Sequence, residues 1–381
     1  MLKFGAAEKP FSENAAESYT IPAKYYLEPE IFEREKPAIY YRSWLYAGHA
    51  SQLPEPGCFK ETRIHEQSVV LVRGRDRELR AFYNVCRHRG HELVQGEGRT
   101  NLFTCPYHAW SYDLDGELKS SRNTHRMQGF DACEFSLKPV RVEEFCGLIF
   151  INLDMDTPPF RELVPGLEEE IRRYCPRLDG LSFAQRDSYD VAANWKVLID
   201  NFLECYHCHP AHKDFVSLCD MSTYRSRTHG IWSSHCSAKP RSDANSAYSF
   251  ETGDVDFGYA GWFVWPNLTI WVYPGEPNIS TLQMLPVGPG RTIEHQDWFV
   301  PDGLKSPQLM EAMDYQKSIL QPEDISLCES VQKGLNSFGY NQGRFVIDDA
   351  ESELSEHAVH HFQKLVMKAL KREAFAPVQL G

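Results

Sequence analysis

The stretch Asn84–Tyr112, NVCRHRGHELVQGEGRTNLFTCPYHAWSY, contains two closely spaced pairs of metal-ligating side chains. Cys86 and His88 are separated by one residue, and Cys105 and His108 follow with two residues between them. Each pair lies where turn-forming residues interrupt strand-forming sequence, so both pairs are expected at the tips of turns between β-strands. Two thiolates and two imidazoles presented in this way predict one shared metal centre.

This donor set is typical of a Rieske 2Fe–2S centre, in which two thiolates hold one iron and two imidazoles hold the other. The alternative is a zinc site with two Cys and two His ligands. Zinc sites usually open with two cysteines, whereas here a histidine follows the first cysteine, so the iron–sulfur interpretation is favoured. The other nine of the eleven cysteines show no ligand spacing and are predicted to be packing residues.

A second group of possible ligands lies in Asn194–His212, NWKVLIDNFLECYHCHPAH. Asn194 is a favourable helix N-cap, and Pro210 should end the predicted helix shortly before it. His207 and His212 are five residues apart. Together with a carboxylate from elsewhere in the chain, they would form the 2-His-1-carboxylate site of non-haem iron oxygenases.

The same predicted helix places two acidic residues on the face of His207. Asp200, Glu204 and His207 lie at positions i, i+4 and i+7. The alternative is that Lys196, Asp200 and Glu204 form a solvated ladder of ion pairs. His209 is a competing ligand, although it would point elsewhere on the helix.

The third ligand has to come from a distant segment, and PEDISLCESVQKGL at 322–335 is the candidate. Pro322 suits the first turn of a helix. Asp324 shares a face with apolar positions, and a buried Asp needs a partner such as a metal ion. The alternative is that Asp324 only favours the positive end of the helix dipole. Glu323 and Glu329 fit the apolar face less well.

Composition excludes several classes of protein. A length of 381 residues suggests two or three domains, and a net charge of −13 argues against nucleic acid or anionic membrane as a partner. No apolar run approaches the ~20 residues that a membrane helix needs. No signal segment is recognised before the cysteines, so a reducing, cytoplasmic location is expected.

The pattern along the chain predicts an α+β protein. The runs SVVLVRG and ELRAFYN, joined through GRDR, predict a hairpin, and the proline-rich DMDTPPFREL marks a domain boundary. Helical and strand patterns are mixed after that boundary. We predict an N-terminal helical segment at 1–38 that packs on the catalytic domain, a small antiparallel β domain at 39–155, and a larger α+β domain with an antiparallel sheet at 156–381.

The ordered combination C-x-H, C-x2-H, then N-W-K-x4-N-x2-E-x2-H-x4-H resembles the oxygenase component of the Rieske non-haem iron oxygenases. The resemblance covers essentially the whole chain and implies a helix-grip-like catalytic domain. The segments IDNFLECYHCHPAH, FYNVCRHRGHEL, PEDISLCESVQKGL and SEHAVHHF are similar to the subgroup that oxidises quaternary ammonium compounds such as carnitine, choline and glycine betaine.

By that resemblance, Glu204 falls on the position that bridges the two metal sites, where most of the family has Asp. The family is trimeric, so Glu204 would bond His207 and, across the interface, His108 of the next chain. A carboxylate suits this role because it accepts from both imidazole N–H groups. The implied ligands are Cys86, His88, Cys105 and His108 for the 2Fe–2S cluster, and His207, His212 and Asp324 for mononuclear Fe(II).

The resemblance also implies a reaction and its partners. One oxygen atom of O2 would be inserted into a C–H bond beside nitrogen, leading to C–N cleavage or N-demethylation. Electrons would come from NAD(P)H through a separate flavin and iron–sulfur reductase, since the chain contains no nucleotide-binding fingerprint. The alternatives are an aromatic-ring hydroxylating or O/N-demethylating oxygenase, a Rieske electron carrier, and a zinc-stabilised binding module.

A quaternary ammonium group has no N–H to donate, so its recognition depends on nearby negative charge and on cation–π contacts worth ~0.5–2 kcal/mol per ring. Aromatic residues cluster in GWFVWPNLTIWVYP, and another lies beside His207. The alternative is that these rings are core packing. The predicted substrate-binding residues are Tyr206, Trp262, Phe263, Trp271 and Tyr273.

Overall fold

The computed structural model describes residues 8–238, 245–250 and 258–372. The chain divides into two units. The described residues up to Ile39 belong with those from Leu163 onward, and Tyr40–Glu162 form the other unit. The two units therefore divide at 39/40 and at 162/163. The sequence predicted domain boundaries at 38/39 and at 155/156.

The unit Tyr40–Glu162 is built from ten antiparallel strands. Seven form one sheet in the order β1-β10-β9-β4-β3-β2-β5, and three form a smaller sheet in the order β6-β7-β8. The predicted hairpin is present, because β3 and β4 pair in antiparallel register. The strands are β1 Leu45–His49, β2 Cys58–Ile64, β3 Gln67–Arg73, β4 Leu79–Tyr83, β5 Glu97–Arg99, β6 Phe103–Thr104, β7 Ser111–Tyr112, β8 Leu118–Ser120, β9 Pro139–Phe145 and β10 Leu148–Asn152.

The second unit contains a seven-stranded antiparallel sheet in the order β11-β17-β16-β15-β14-β13-β12. A β domain followed by an α+β domain with an antiparallel sheet confirms the predicted fold class. The strands are β11 Leu181–Val191, β12 Arg225–His229, β13 Trp232–Cys236, β14 Ala260–Val264, β15 Leu268–Val272, β16 Ile279–Gly288 and β17 Arg291–Pro301.

Helices cover this sheet, and two of them, α5 and α9, contact each other. No helix among the described residues is both long and apolar enough to cross a membrane. The α-helices of the described residues are α1 Lys24–Leu27, α2 Pro29–Glu35, α3 Phe160–Leu163, α4 Leu167–Tyr174, α5 Trp195–Phe202, α6 Cys208–Ala211, α7 Lys213–Leu218, α8 Pro307–Tyr315, α9 Gln321–Leu335 and α10 His357–Arg372.

Local sequence explains how α5 and α9 begin. The side chain of Asn194 accepts the backbone N–H of Lys196 at 3.0 Å, as expected of an N-cap. Pro322 lies in the first turn of α9, where its missing N–H costs no helical hydrogen bond. A π-helical turn at Gln316–Leu320 precedes α9, and such turns often occur at functional sites.

Candidate active site

The chain leaves the α-helix before it reaches the first candidate ligand. The prediction that one helix runs to just before Pro210 is wrong, because α5 ends at Phe202. The Glu204 carboxylate accepts the backbone N–H of His207 at 3.0 Å and so replaces a helical backbone bond. Glu204 and His207 therefore lie in a turn between α5 and α6.

Three side chains converge in the space between this turn and α9. His207 Nε2 lies 3.1 Å from His212 Nε2, and Asp324 Oδ1 lies 3.0 Å from His212 Nε2 and 3.5 Å from His207 Nε2. One ligand atom from each of the three residues lies within 4.8 Å of the others. The fold thus brings the predicted iron ligands together, although 112 residues separate His212 from Asp324.

In each histidine, the Nδ1 atom on the other side of the ring from Nε2 contacts a glutamate carboxylate. His207 Nδ1 lies 2.5 Å from Glu204 Oε1, and His212 Nδ1 lies 2.8 Å from Glu323 Oε2. A carboxylate beside Nδ1 fixes the proton there and leaves the Nε2 lone pair free for a metal. The sequence prediction missed this contact of Glu323, and its position next to Asp324 in the first turn of α9 was the available signal.

The donor set fits a divalent metal ion. Two Nε2 atoms 3.1 Å apart, with a carboxylate oxygen beside them, can bind one cation together. Burial lowers the pKa of His207, but its bonds to Asp324 and Glu204 outweigh burial and raise the pKa to about 10. Burial raises the pKa of Asp324, but both histidines lower it to about 2. The negative field of the site therefore favours a positive charge at this point.

The alternative ion-pair ladder along α5 is not present. Lys196 Nζ bonds Glu35 Oε1 at 2.5 Å, and both side chains are fully buried. Asp200 accepts hydrogen bonds from Tyr26 at 2.6 Å and from Gln363 at 3.1 Å. Both groups therefore attach α5 to the N-terminal and C-terminal helical segments, and Asp200 does not join the metal ligands.

The four predicted cluster ligands lie in the unit Tyr40–Glu162. Cys86 and Cys105 are buried, whereas His88 is exposed and His108 is partly exposed. The two imidazole rings lie 4.6 Å apart, and burial raises the pKa of the Cys105 thiol. Sulfur atoms inside and imidazoles outside fit a centre with thiolates on one iron and histidines on the other.

The turns around these residues are tightly bonded. The backbone N–H of Gly90 bonds the Cys86 carbonyl at 3.0 Å, and its φ of +72° favours glycine. The hydroxyl of Tyr112 lies 3.3 Å from Cys86 Sγ and accepts the backbone N–H of Arg87 at 2.9 Å. His88 stacks on Trp110 with the ring centroids 4.8 Å apart. The four side chains are thus held at the tips of two fixed turns.

Two of the nine cysteines that were predicted to be packing residues have a different role. Cys205 and Cys208 form a disulfide across the turn that carries His207, with Cα atoms 4.9 Å apart. The three-residue spacing of the two cysteines, which brings side chains close together in a helix as well as in a turn, was the available signal. The other seven, Cys58, Cys133, Cys146, Cys175, Cys219, Cys236 and Cys328, form no disulfide within the described part of the chain.

A cavity opens onto His207, His212 and Asp324, and only two of the predicted substrate residues line it. Trp271 and Tyr273 both contribute to its wall. Phe202 stacks on Trp271 with ring centroids 5.7 Å apart and an interplanar angle of 5°. The remaining aromatic side chains of the wall are Phe215, Tyr224 and Tyr259.

The structure places the other three predicted aromatics outside the cavity wall. Trp262 faces α4, where its indole N–H donates to Glu170 at 3.0 Å. Phe263 packs edge-on against Phe362 of α10 at 5.6 Å. Tyr206 is 49% exposed because it follows the end of α5 and points to solvent. The alternation of side chains along a strand does not show which part of the sheet is covered by α5 and α9, so it could not show which aromatic residues line the cavity.

Two family models together match most of the chain. Residues 43–131 match the Rieske [2Fe-2S] domain, and residues 178–372 match the ring hydroxylating alpha subunit (catalytic domain). The first match contains the two Cys–His pairs, and the second contains His207, His212 and Asp324.

Similar proteins match over nearly their whole length. The carnitine monooxygenase oxygenase subunit of Escherichia coli K12 is 38% identical over 364 residues, covering 95% of this chain and 96% of the relative. The structure of a quaternary ammonium Rieske monooxygenase superposes with a TM-score of 0.87 at 35% identity, covering 96% and 100% of the two chains. A complex of such an enzyme with L-carnitine superposes with a TM-score of 0.85 at 34% identity, covering 96% and 99%.

Proposed function

The chain belongs to the Rieske non-haem iron oxygenases, and on that premise we propose that it hydroxylates a quaternary ammonium substrate, carnitine-like or betaine-like. It is the oxygenase component of a monooxygenase, and its cofactors are a Rieske 2Fe–2S cluster and a mononuclear iron. The observation that carries the proposed substrate class is the aromatic cavity that opens onto the three converging ligands. The relatives that oxidise carnitine support the same substrate class.

The proposed ligands divide between the two units. When bound, the cluster supplies single electrons and the mononuclear iron activates dioxygen. The protein orients the rings of His207 and His212 through Glu204 and Glu323, so that their Nε2 atoms stay aimed at one point. The proposed ligand sets are Cys86, His88, Cys105 and His108 for the cluster, and His207, His212 and Asp324 for the iron.

Glu204 is proposed to act as the bridge between the two metal sites. One carboxylate oxygen already bonds His207 Nδ1, and a carboxylate can accept a second imidazole N–H on its remaining lone pairs. The proposed second donor is His108 of a neighbouring chain in a homotrimer. The proposed electron source is a separate flavin and iron–sulfur reductase that uses NAD(P)H.

The aromatic wall suits a trimethylammonium group. The faces of Phe202 and Trp271 offer cation–π contacts without requiring a hydrogen-bond donor on the substrate. Insertion of oxygen into a C–H bond beside nitrogen gives a hemiaminal, and its collapse cleaves the C–N bond to an amine and a carbonyl compound. C–N cleavage or N-demethylation is therefore the expected outcome.

The test is turnover with a matched reductase on carnitine, γ-butyrobetaine, choline and glycine betaine, with naphthalene and an aryl methyl ether as controls. Oxygen uptake coupled to an identified product is the readout, because uptake alone also reports uncoupled reduction of dioxygen. We expect coupled turnover with at least one quaternary ammonium compound. Coupled turnover with an aromatic substrate and with none of the ammonium compounds would refute the proposal.

A further inference from the structure

The cavity contains a buried carboxylate that has no part in ligating the proposed iron. Glu294 lies on β17 opposite Met284 of β16, and it is only 2% exposed. Its Oε2 accepts a hydrogen bond from the side-chain amide of Gln321 at 2.6 Å. Both Glu294 and Gln321 line the same cavity as Asp324 and Trp271.

The hydrogen-bond partner of Glu294 is a neutral amide, which does not balance the charge of an ionised carboxylate. None of the described residues that line the cavity is Lys or Arg. Burial raises the pKa of Glu294 to about 8, the charge of Asp324 adds to the rise, and the Gln321 amide opposes it. A buried carboxylate is normally paired with a cation, because burying an isolated charge is costly. The ionised form of Glu294 is therefore stable only with a positive charge close by.

A bound ligand can supply that cation. A trimethylammonium group spreads its charge over its methyl groups and has no N–H to donate. It is therefore recognised by aromatic rings and by the negative charge of a nearby carboxylate, and not by hydrogen bonds. The cavity offers both, because Phe202 and Trp271 contribute aromatic rings to its wall and Glu294 contributes a carboxyl group. A neutral group of the same shape would fill the space but leave the carboxylate unpaired.

We infer that Glu294 is a specificity-determining residue that recognises the positive charge of the substrate. This inference rests on the proposed function and deepens it. Glu294 would make the enzyme select a trimethylammonium group over a neutral tert-butyl group of nearly the same volume. The aromatic residues alone would favour the cation less strongly, because Coulomb attraction to a desolvated carboxylate exceeds a single cation–π contact.

The test measures equilibrium binding to the iron-loaded enzyme by calorimetry. The first ligand is γ-butyrobetaine, and the second is the carboxylate of the same length in which tert-butyl replaces trimethylammonium. The same pair of measurements is made with choline and its neutral tert-butyl analogue. The variants are Glu294→Gln, which keeps an acceptor for Gln321, Glu294→Asp, which keeps the charge, and the exposed control Glu30→Gln.

We expect Glu294→Gln to reduce the preference for the cationic ligand by at least about tenfold, with binding of the neutral analogue within about twofold of wild type. Glu294→Asp should keep a preference for the cation, and Glu30→Gln should match wild type. Iron and sulfide contents confirm that each variant is loaded. An unchanged preference in Glu294→Gln, an equal loss for both ligands, or the same loss in Glu294→Asp would overturn the inference.

The outcome for wild type separates this inference from the proposed function. If wild type binds and oxidises a quaternary ammonium compound but Glu294→Gln keeps the full preference, only the role of Glu294 is wrong. If wild type binds no cationic ligand of either pair, the proposed substrate class itself is refuted, together with the inference.

Discussion

The Glu204 carboxylate contacts His207 twice. Its Oε1 lies 2.5 Å from the ring Nδ1, and its Oε2 accepts the backbone N–H of the same residue at 3.0 Å. The first contact sets the proton position and orientation of the ring, and the second fixes the turn that carries it. One side chain thus determines both where His207 lies and which nitrogen faces Asp324.

In protein loaded with both metal centres, Glu204→Gln should slow electron transfer to the mononuclear site. The amide cannot accept hydrogen bonds on both sides as a carboxylate does, so the proposed bridge is weakened. We expect cluster oxidation under single turnover to slow by roughly 10–100-fold. Stopped-flow absorbance of the reduced cluster gives the rate, with Glu30→Gln as the control. Oxidation at the wild-type rate would exclude Glu204 as the bridge.

Glu323→Gln should weaken iron binding without affecting the cluster. The carboxylate of Glu323 holds Nδ1 of His212 at 2.8 Å, and loss of such a partner typically costs about 10–100-fold in metal affinity or activity. Competition with a chelator, followed by iron analysis, measures the affinity. The acid-labile sulfide content should stay at the wild-type level. Wild-type iron affinity in this variant would show that His212 needs no such support.

Asp324→Asn should remove the mononuclear iron selectively. Two neutral histidines and an amide oxygen bind Fe(II) more weakly than two histidines and a carboxylate. Iron should fall from about three to about two atoms per chain, while sulfide stays at about two. A parallel loss of sulfide would mean that the variant disrupts the chain more broadly. Retention of about three irons would remove Asp324 from the ligand set.

Lys196→Met should destabilise the unit that contains α5. Lys196 and Glu35 form an ion pair with side chains 0% and 1% exposed, and Trp195 donates to the same carboxylate at 2.9 Å. Loss of one partner leaves a buried charge, so the free energy of unfolding should fall by about 3–5 kcal/mol. Adding Glu35→Gln should recover part of this loss, because it removes the unpaired charge and keeps an acceptor for the indole.

The matched control for that variant is the exposed pair between Lys24 and Glu8. These side chains are 38% and 49% exposed, so Lys24→Met should change the free energy of unfolding by no more than about 1 kcal/mol. Urea titrations followed by circular dichroism compare all variants. Equal changes in the free energy of unfolding for Lys196→Met and Lys24→Met would show that the buried pair contributes no more to stability than the exposed pair.

Asp200 should make stability depend on pH. Burial raises the pKa of Asp200 to about 7, although hydrogen bonds from Tyr26 and Gln363 oppose the rise. In the unfolded chain an Asp titrates near pH ~4, so between about pH 4 and 7 the folded state binds more protons. The contribution of this group to the free energy of unfolding therefore falls as pH rises through that window, and it is constant above it.

Asp200→Asn removes that titration. Relative to wild type, the variant should become progressively more stable from pH 5 to about pH 7, by up to about 1.4 kcal/mol per pH unit, and the difference should level off above that. Thermal unfolding midpoints at a series of pH values measure the difference. The exposed Asp349→Asn is the matched surface control. A flat difference for Asp200→Asn would mean that Asp200 has an ordinary pKa in the folded chain.

Local spacing was informative wherever the ligands of a centre follow one another closely in the chain. Cys86 and His88 share one turn, so their separation by a single residue already limits how they can be presented. The same argument applied to His207 and His212, whose Nε2 atoms meet at 3.1 Å although the helix predicted to run to Pro210 ends at Phe202. Distances within a short turn vary little between a helical and an irregular backbone.

The sequence by itself determined the fold class, the two pairs of Cys–His residues, and the choice of His207, His212 and Asp324 as candidate ligands. Only the tertiary structure decided that Glu323 holds His212, that Asp200 and Lys196 anchor α5 elsewhere, and that Trp271 and Glu294 line the cavity while Trp262 does not. The physical reason is the distance along the chain between the residues that come into contact. Periodicity assigns a side chain to a face of its own element, whereas the element that covers that face comes from a distant part of the chain.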